Sequence, residues 1–351
     1  MKRHLPLGLL VLAIIGVQLL TRATDTAFYL TPLTMTAYYS LVIVGLCLLM
    51  GYAGQISLGH AGFFAIGGYL SAMLTTKNLV PFKDNSLISL CDELGLLVHG
   101  QDMFGSAFTH VQPWAACGCA ILVTIVVAYA IGIPVLKLKG HYLAMATLGF
   151  GIIVYRLALA FPLFGEADGI SDVPGFPLLP GLSVSGDFSS RVSNYYLAWG
   201  MVALAMWLLV NLIHSRVGRA LKAIHGAEGA ANATGINTAR YKLNTFVISA
   251  VLASVAGIFL THYNGGIGPS EAGIMKSVRY VAIVAIGGMA NLWGALTMGA
   301  LLNIMSLRGM FGSYDDAVFG AILIVIMLFA PQGLLGISLS ATFKRILRRG
   351  E

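Results

Sequence analysis

Apolar residues gather along the chain into runs of near-spanning length, separated by polar and charged intervals. Seven runs, near 5–21, 33–50, 56–75, 114–136, 142–163, 194–213 and 244–263, reach the roughly 17–25 residues that a membrane helix needs. Three more, near 277–290, 293–307 and 317–330, are shorter or interrupted by glycine. The pattern predicts an all-α, polytopic membrane protein of about ten transmembrane helices, with eight to eleven compatible with the weaker runs.

Composition sharpens this picture. Of 351 residues, 58% are hydrophobic and only 10% charged, where a soluble domain carries about 25% charged residues. An excess of this size needs lipid as its solvent, and the whole chain reads as one membrane domain. The net charge of +7 resembles a nucleic-acid signal, but the basic residues fall between apolar runs, where topology uses them. No nucleic-acid partner is expected.

With the N-terminus inside, cytoplasmic segments carry 13 of the 21 Lys and Arg, among them Lys2, Arg3, Lys137, Lys139, Arg216 and the terminal Lys344 to Arg349 cluster. Both termini are then cytoplasmic. The outer side holds Arg22, Lys77, Lys83, Arg191, Lys276 and Arg308, and Arg156 and Arg279 remain within spans. Loops near 76–112 and 164–193 face out, and the longest inner segment is 214–243. The sequence Thr21-Arg22-Ala23-Thr24-Asp25 is a poor cleavage site, so the first run reads as a retained span rather than a signal peptide.

Candidate chemistry is sparse. Cys47, Cys117 and Cys119 lie in apolar runs and Cys91 in a loop, so no disulfide framework is expected. The eight histidines show no metal-binding spacing. Neither a catalytic residue nor a metal or cofactor held by this chain is expected.

Three stretches stand out. In Gly51 to Tyr69, the residues Ser57, Ala61, Ala65, Gly68 and Ala72 fall on one helical stripe, with Gly59 and Gly67 nearby. Small residues at this spacing let helices approach closely in a bilayer. The other reading is a helix break at Gly51 to Gly54, with Gln55, Ser57 and His60 lining a polar path. In Lys137 to Gly151, two lysines mark the start of a span that carries Arg156 deeper in. That charge either faces protein or water, or snorkels outward toward Glu166 or Asp168. The third stretch, Ser215 to Asn237, is Ala-rich, suits one or two short helices, and stops at a glycine fit for a helix end. It reads as a docking element. The chain has no GxxxxGK[ST] phosphate loop.

These stretches resemble the permease subunits of branched-chain amino acid ABC importers, of the LivM type. The likeness runs through Gly54 to Phe64, Gly140 to Gly151, Asp168-Gly169-Ile170-Ser171, Gly218-Arg219-Ala220, Ile286 to Gly294 and Pro331-Gln332-Gly333-Leu334. It implies a bacterial inner-membrane permease that works by alternating access. It further implies a second, LivH-type permease, two cytoplasmic ATPases that hold ATP and Mg, and a periplasmic solute-binding protein. Importer permeases dock their ATPase through a Glu-Ala-Ala…Gly loop. Glu228, Ala230, Ala231 and Gly235 are similar to it, with Gly229 in place of one Ala, and Arg219 precedes them.

A urea or short-amide importer permease shares nearly all these motifs. The alternative from another class is a secondary transporter or channel, which would show intramembrane carboxylates. None of the 14 Asp and Glu falls within the proposed runs. A membrane enzyme would need a cluster of nucleophile, base or metal ligands, and the sequence has none.

Overall fold

The computed structural model describes residues 5–82, 86–101, 107–138, 140–179 and 181–329. The basic N-terminus, the Lys344 to Arg349 cluster and the Pro331 to Leu334 motif lie outside the described residues.

Among the described residues the chain is mainly helical, with two small hairpins. In order it forms α1 (Leu5–Ala23), α2 (Leu30–Ala53), α3 (His60–Thr76), α4 (Ser86–Glu93), β1 (Leu97–Gln101), β2 (Ala107–Val111), α5 (Pro113–Val135) and α6 (His141–Ala160). There follow β3 (Phe176–Leu179), β4 (Leu182–Val184), α7 (Arg191–His214), α8 (Arg216–Gly226), α9 (Glu228–Ala233) and α10 (Thr238–Asn264). The last three are α11 (Ile274–Gly287), α12 (Leu292–Leu307) and α13 (Asp315–Phe329). Each of the ten apolar runs falls mainly on a helix, as far as the described residues extend. Among the described residues, six helices are long and apolar enough to cross a membrane, namely α1, α2, α5, α6, α7 and α10. The chain is therefore a polytopic helical membrane protein. The remaining runs form helices of 14 to 17 residues, α3, α11, α12 and α13.

Helix α2 is the axis of the fold. Every residue from Thr36 to Gly51 is buried, as expected for a helix that is apolar all round and enclosed by others. It packs against α7, α10, α11 and α12. The first helix, α1, is the opposite case: most of its residues are exposed, and a helix this bare and apolar is stable only against lipid. It is tied to α7 where the Tyr195 hydroxyl donates to the Ile14 carbonyl at 3.1 Å.

The most extensive helix contact is α3 on α10. A β-carbon at Gly67 would fall on the Ser254 carbonyl, and one at Gly257 on the Phe64 carbonyl. Backbones this close need glycine on both helices. Of the predicted stripe, Ala61, Ala65, Gly68 and Ala72 are buried on α3, whereas Ser57 precedes the helix. The run expected from residue 56 becomes helical only at His60.

The hairpins lie at one end of the bundle and α8 and α9 at the other. Strands β1 and β2 pair antiparallel, as do β3 and β4. The 164–193 segment folds over the end of α10: Ile170 and Ile267 exchange backbone hydrogen bonds of 3.0 and 2.9 Å. Phe176, fully buried, packs on Phe259 and His262.

Candidate functional site

Two long helices end in breaks that reverse the chain. Helix α2 ends at Gly54, whose φ of +67° is the left-handed geometry of a glycine cap, and its N–H returns to the Leu49 carbonyl. Residues 54–59 are non-helical before α3 starts. Helix α10 ends the same way at Gly265, φ +69°. Residues 265–273, with one short turn at Pro269–Ala272, then lead into α11.

The N-terminal turns of α3 and α11 meet. The Ala61 N–H donates to the Ser277 hydroxyl at 3.2 Å. Short helices with facing N-terminal ends inside a bundle are a recurring architecture of transport sites, because the positive ends of their dipoles face polar solute groups.

Around this junction the first break is held by hydroxyls. Leu58 N–H donates to Thr147 Oγ1 of α6 at 3.0 Å. His60 is 1% exposed, with one ring nitrogen 3.1 Å from Ser57 Oγ and the other 2.7 Å from Ser249 Oγ of α10. Ser57 and His60 thus brace α3 against α10. Gln55 is also buried, and neither atom of its amide has a partner among the described residues. A buried amide without partners is costly, which marks Gln55 as the polar group of this break still free to bond. Gly59 sits where a β-carbon would lie 2.7 Å from the Thr147 carbonyl. Arg156, by contrast, is exposed on α6, away from this junction, and makes no ion pair with Glu166 or Asp168.

The second break carries charges that run-based reading placed outside the spans. Lys276 Nζ lies 2.9 Å from Glu271 Oε1 and 3.2 Å from the Tyr39 hydroxyl, which itself donates to Glu271 at 3.2 Å. Tyr39 is near the midpoint of α2, so the 265–273 segment dips into the bundle. Arg279 on α11 reaches Asp316 at 2.8 Å and Asp315 at 3.6 Å. Those two carboxylates open α13, which begins two residues before the apolar run does. Glu271 itself stays outside the apolar runs, on the Pro269–Ala272 turn, and meets α2 at Tyr39.

His262 was also overlooked. It takes a 2.8 Å bond with Ser71 of α3 and a 2.7 Å bond to the Pro174 carbonyl, locking the 164–193 segment to the bundle. The available signal was the spacing of Gly265, Gly266, Gly268, Pro269 and Gly273, which repeats the glycine-rich interruption at Gly51 to Gly59 in the other half of the chain.

At the opposite end, the Ser215 hydroxyl caps α8 through the Val217 N–H at 3.1 Å. One face of α8 buries Ala220, Leu221 and Ile224, leaving Arg219 and Lys222 exposed. His225 of α8 abuts Gly54, where a β-carbon would lie 2.9 Å from its ring nitrogen. On α9, Glu228 pairs with Lys242 of α10 at 2.6 Å and accepts from Thr238 at 3.3 Å. Ala230 is exposed and Ala231 is buried within the chain itself. Gly235 follows α9 with φ +84°.

A family model described as the permease component of branched-chain amino acid transport systems matches residues 28–327. The chain is 32% identical to the high-affinity branched-chain amino acid transport system permease protein LivM of Salmonella typhimurium, over 86% of this chain and 68% of that one. It is 31% identical to LivM of Escherichia coli, over 93% and 73% respectively. Likeness extends to LivH of Salmonella typhimurium, at 27% over 86% and 92%. No solved structure matches the chain.

Proposed function

Because this chain belongs to the family of permease components of branched-chain amino acid transport systems, we propose that it is one of two permease subunits of an ABC importer for branched-chain or related amino acids. It sits in the bacterial inner membrane as a multi-pass protein. Its ten apolar helices cross or enter the bilayer, with both termini and α8–α9 cytoplasmic and the two hairpins outside. Its partners are a LivH-type permease, two cytoplasmic ATPases that bind ATP and Mg, and a periplasmic binding protein.

One observation supports this reading above the others: α8 is seated directly against the break that ends α2. Closure of the ATPases moves α8 and α9, and α8 bears on Gly54 through His225. The Glu228–Lys242 pair passes the same displacement to α10, and α10 carries α3 with it through their glycine contact. The junction of α3 and α11 then opens to alternate sides. ATP supplies the bias between the two states, since a passive path cannot shift its own equilibrium.

The reading is tested by co-expressing the chain with a LivH-type permease and the ATPases, then measuring ATP-driven uptake of L-leucine against urea into vesicles. Leucine uptake that depends on loaded binding protein is expected; urea uptake alone would replace the substrate assignment. Orientation is tested in cells after Cys91 and Cys119 are changed to Ser. A membrane-impermeant thiol reagent is expected to label Leu179→Cys and to leave Arg219→Cys untouched. Labelling of Arg219→Cys from outside would invert the topology and remove the docking role of α8.

A further inference from the structure

The Glu271–Lys276 pair is an unusual thing to keep in a membrane protein. Glu271 lies on the turn that precedes α11 and Lys276 in the first turn of α11, with the pair packed against α2 at Tyr39. Well-packed apolar residues often do as well as a buried ion pair. Among the described residues the pair is held by its own 2.9 Å contact and by Tyr39, whose ring also lies 4.7 Å from Lys276 Nζ.

Two further groups point to a ligand. Tyr69 is 3% exposed and Tyr280 1% exposed, and neither hydroxyl has a hydrogen-bond partner among the described residues. The Tyr280 ring lies 6.3 Å from that of Tyr39, which bonds Glu271, and α3, which carries Tyr69, packs on the Pro269–Ala272 turn that carries Glu271. A buried hydroxyl left unpaired costs about 1–3 kcal/mol, so two of them beside one ion pair suit a site that is completed by something else. The pair is also reachable. The Lys276 and Glu271 side chains keep 27% and 20% of their surface, bordered on α11 by exposed Ile274, Met275 and Val278.

We propose that Glu271 and Lys276 form a binding station for the head group of a zwitterionic α-amino acid. Glu271 takes the ammonium, Lys276 takes the carboxylate, and the hydroxyls of Tyr39, Tyr69 and Tyr280 supply the remaining hydrogen bonds. In the conformation described, the two protein charges neutralise each other. An arriving zwitterion gives each a new opposite charge, so one ion pair becomes two and no charge is left bare. A neutral solute such as urea has no charges for this exchange. The apolar margin of α11 suits an aliphatic side chain. The inference rests on the reading of the chain as an amino acid permease.

The test uses the assembled complex in vesicles with saturating loaded binding protein, and follows L-leucine moved per ATP hydrolysed. Wild-type uptake of L-leucine checks the functional reading first; its failure would concern that reading and not the station. Given wild-type transport, the neutral double variant Glu271→Gln with Lys276→Met is expected to keep its stimulated ATPase activity and lose about tenfold or more in leucine per ATP, the scale of one charge-assisted bond. An unchanged ratio, or activity and uptake falling together, would overturn the station and leave the pair structural. If the double variant does not assemble, Tyr69→Phe with Tyr280→Phe decides. A structural role predicts no loss from removing two unpartnered hydroxyls, whereas the station predicts a roughly three- to tenfold lower leucine-to-ATP ratio. A wild-type ratio in this variant would overturn the proposal.

Discussion

Gly67→Leu is expected to abolish transport and to reduce the folded protein in the membrane, while Gly118→Leu leaves both near wild type. At Gly67 the first added carbon meets the Ser254 carbonyl and hydroxyl. The carbonyl belongs to a helix and cannot rotate away, so α3 and α10 must separate. Overpacking typically costs ~1–3 kcal/mol where side chains can shift. Here backbone must move, which puts the cost at or beyond the upper end. Separation would also strain the His60–Ser249 bond and the Ala61–Ser277 bond on the same helix. Gly118 on α5 has open space around it, which makes it the control for adding a leucine to a membrane helix. Gly59→Leu is expected to behave like Gly67→Leu, because Thr147 crowds it. Phe63→Leu is milder, since an apolar side chain remains against Phe150 and Phe246. The checks are membrane expression level, thermal stability in detergent and leucine uptake. Normal uptake in both glycine variants would mean the two helices do not pack this way in the working transporter.

Ala230→Trp is expected to uncouple the importer: ATPase subunits bind poorly, and leucine uptake falls by about tenfold or more, equivalent to ~1.4 kcal/mol or greater. Ala230 is exposed on α9, and the large ring would stand between the helix and a partner surface. Its neighbour makes the contrast. Ala231 is buried inside this chain, so Ala231→Trp damages the packing of α9 itself and says nothing specific about docking. Membrane insertion should be normal in Ala230→Trp because no span is touched. Pull-down of the ATPases, with ATPase activity in the presence of loaded binding protein, reads the outcome. Normal pull-down and normal stimulation would end the docking assignment. Glu228 is a weaker probe, because its pair with Lys242 holds α9 to α10 as well as facing the solvent.

The local signals were legible wherever a rule acts within one helix. Small residues at helical spacing foretold the buried stripe of Ala61, Ala65, Gly68 and Ala72. The glycine after an Ala-rich stretch foretold the end of α9 just before Gly235. The reading of 215–237 as short helices holds, with α8 and α9 divided at Ala227. Other features needed contacts between distant residues. Nothing in the order of Glu271 and Lys276 says that a segment between apolar runs turns inward to Tyr39, 232 positions earlier. Likewise, His262 bonds Ser71 and the Pro174 carbonyl, and His60 bonds Ser249, partners far away in the sequence.

By itself the sequence determined the solvent and the class of fold, because apolar runs of spanning length can satisfy their backbones in lipid only as helices. It also placed the small-residue face and the short helices of 215–237, both of which follow from periodicity along one helix. The tertiary structure alone decided that Ser57 and His60 are braces, that Arg156 stands apart from the junction, and that the Glu271 carboxylate packs against Tyr39 in the middle of α2. Those outcomes depend on how far each chain segment dips before its helix starts. That depth is set by where neighbouring helices leave room and hydrogen-bond partners, and hydropathy along a single segment carries no record of its neighbours.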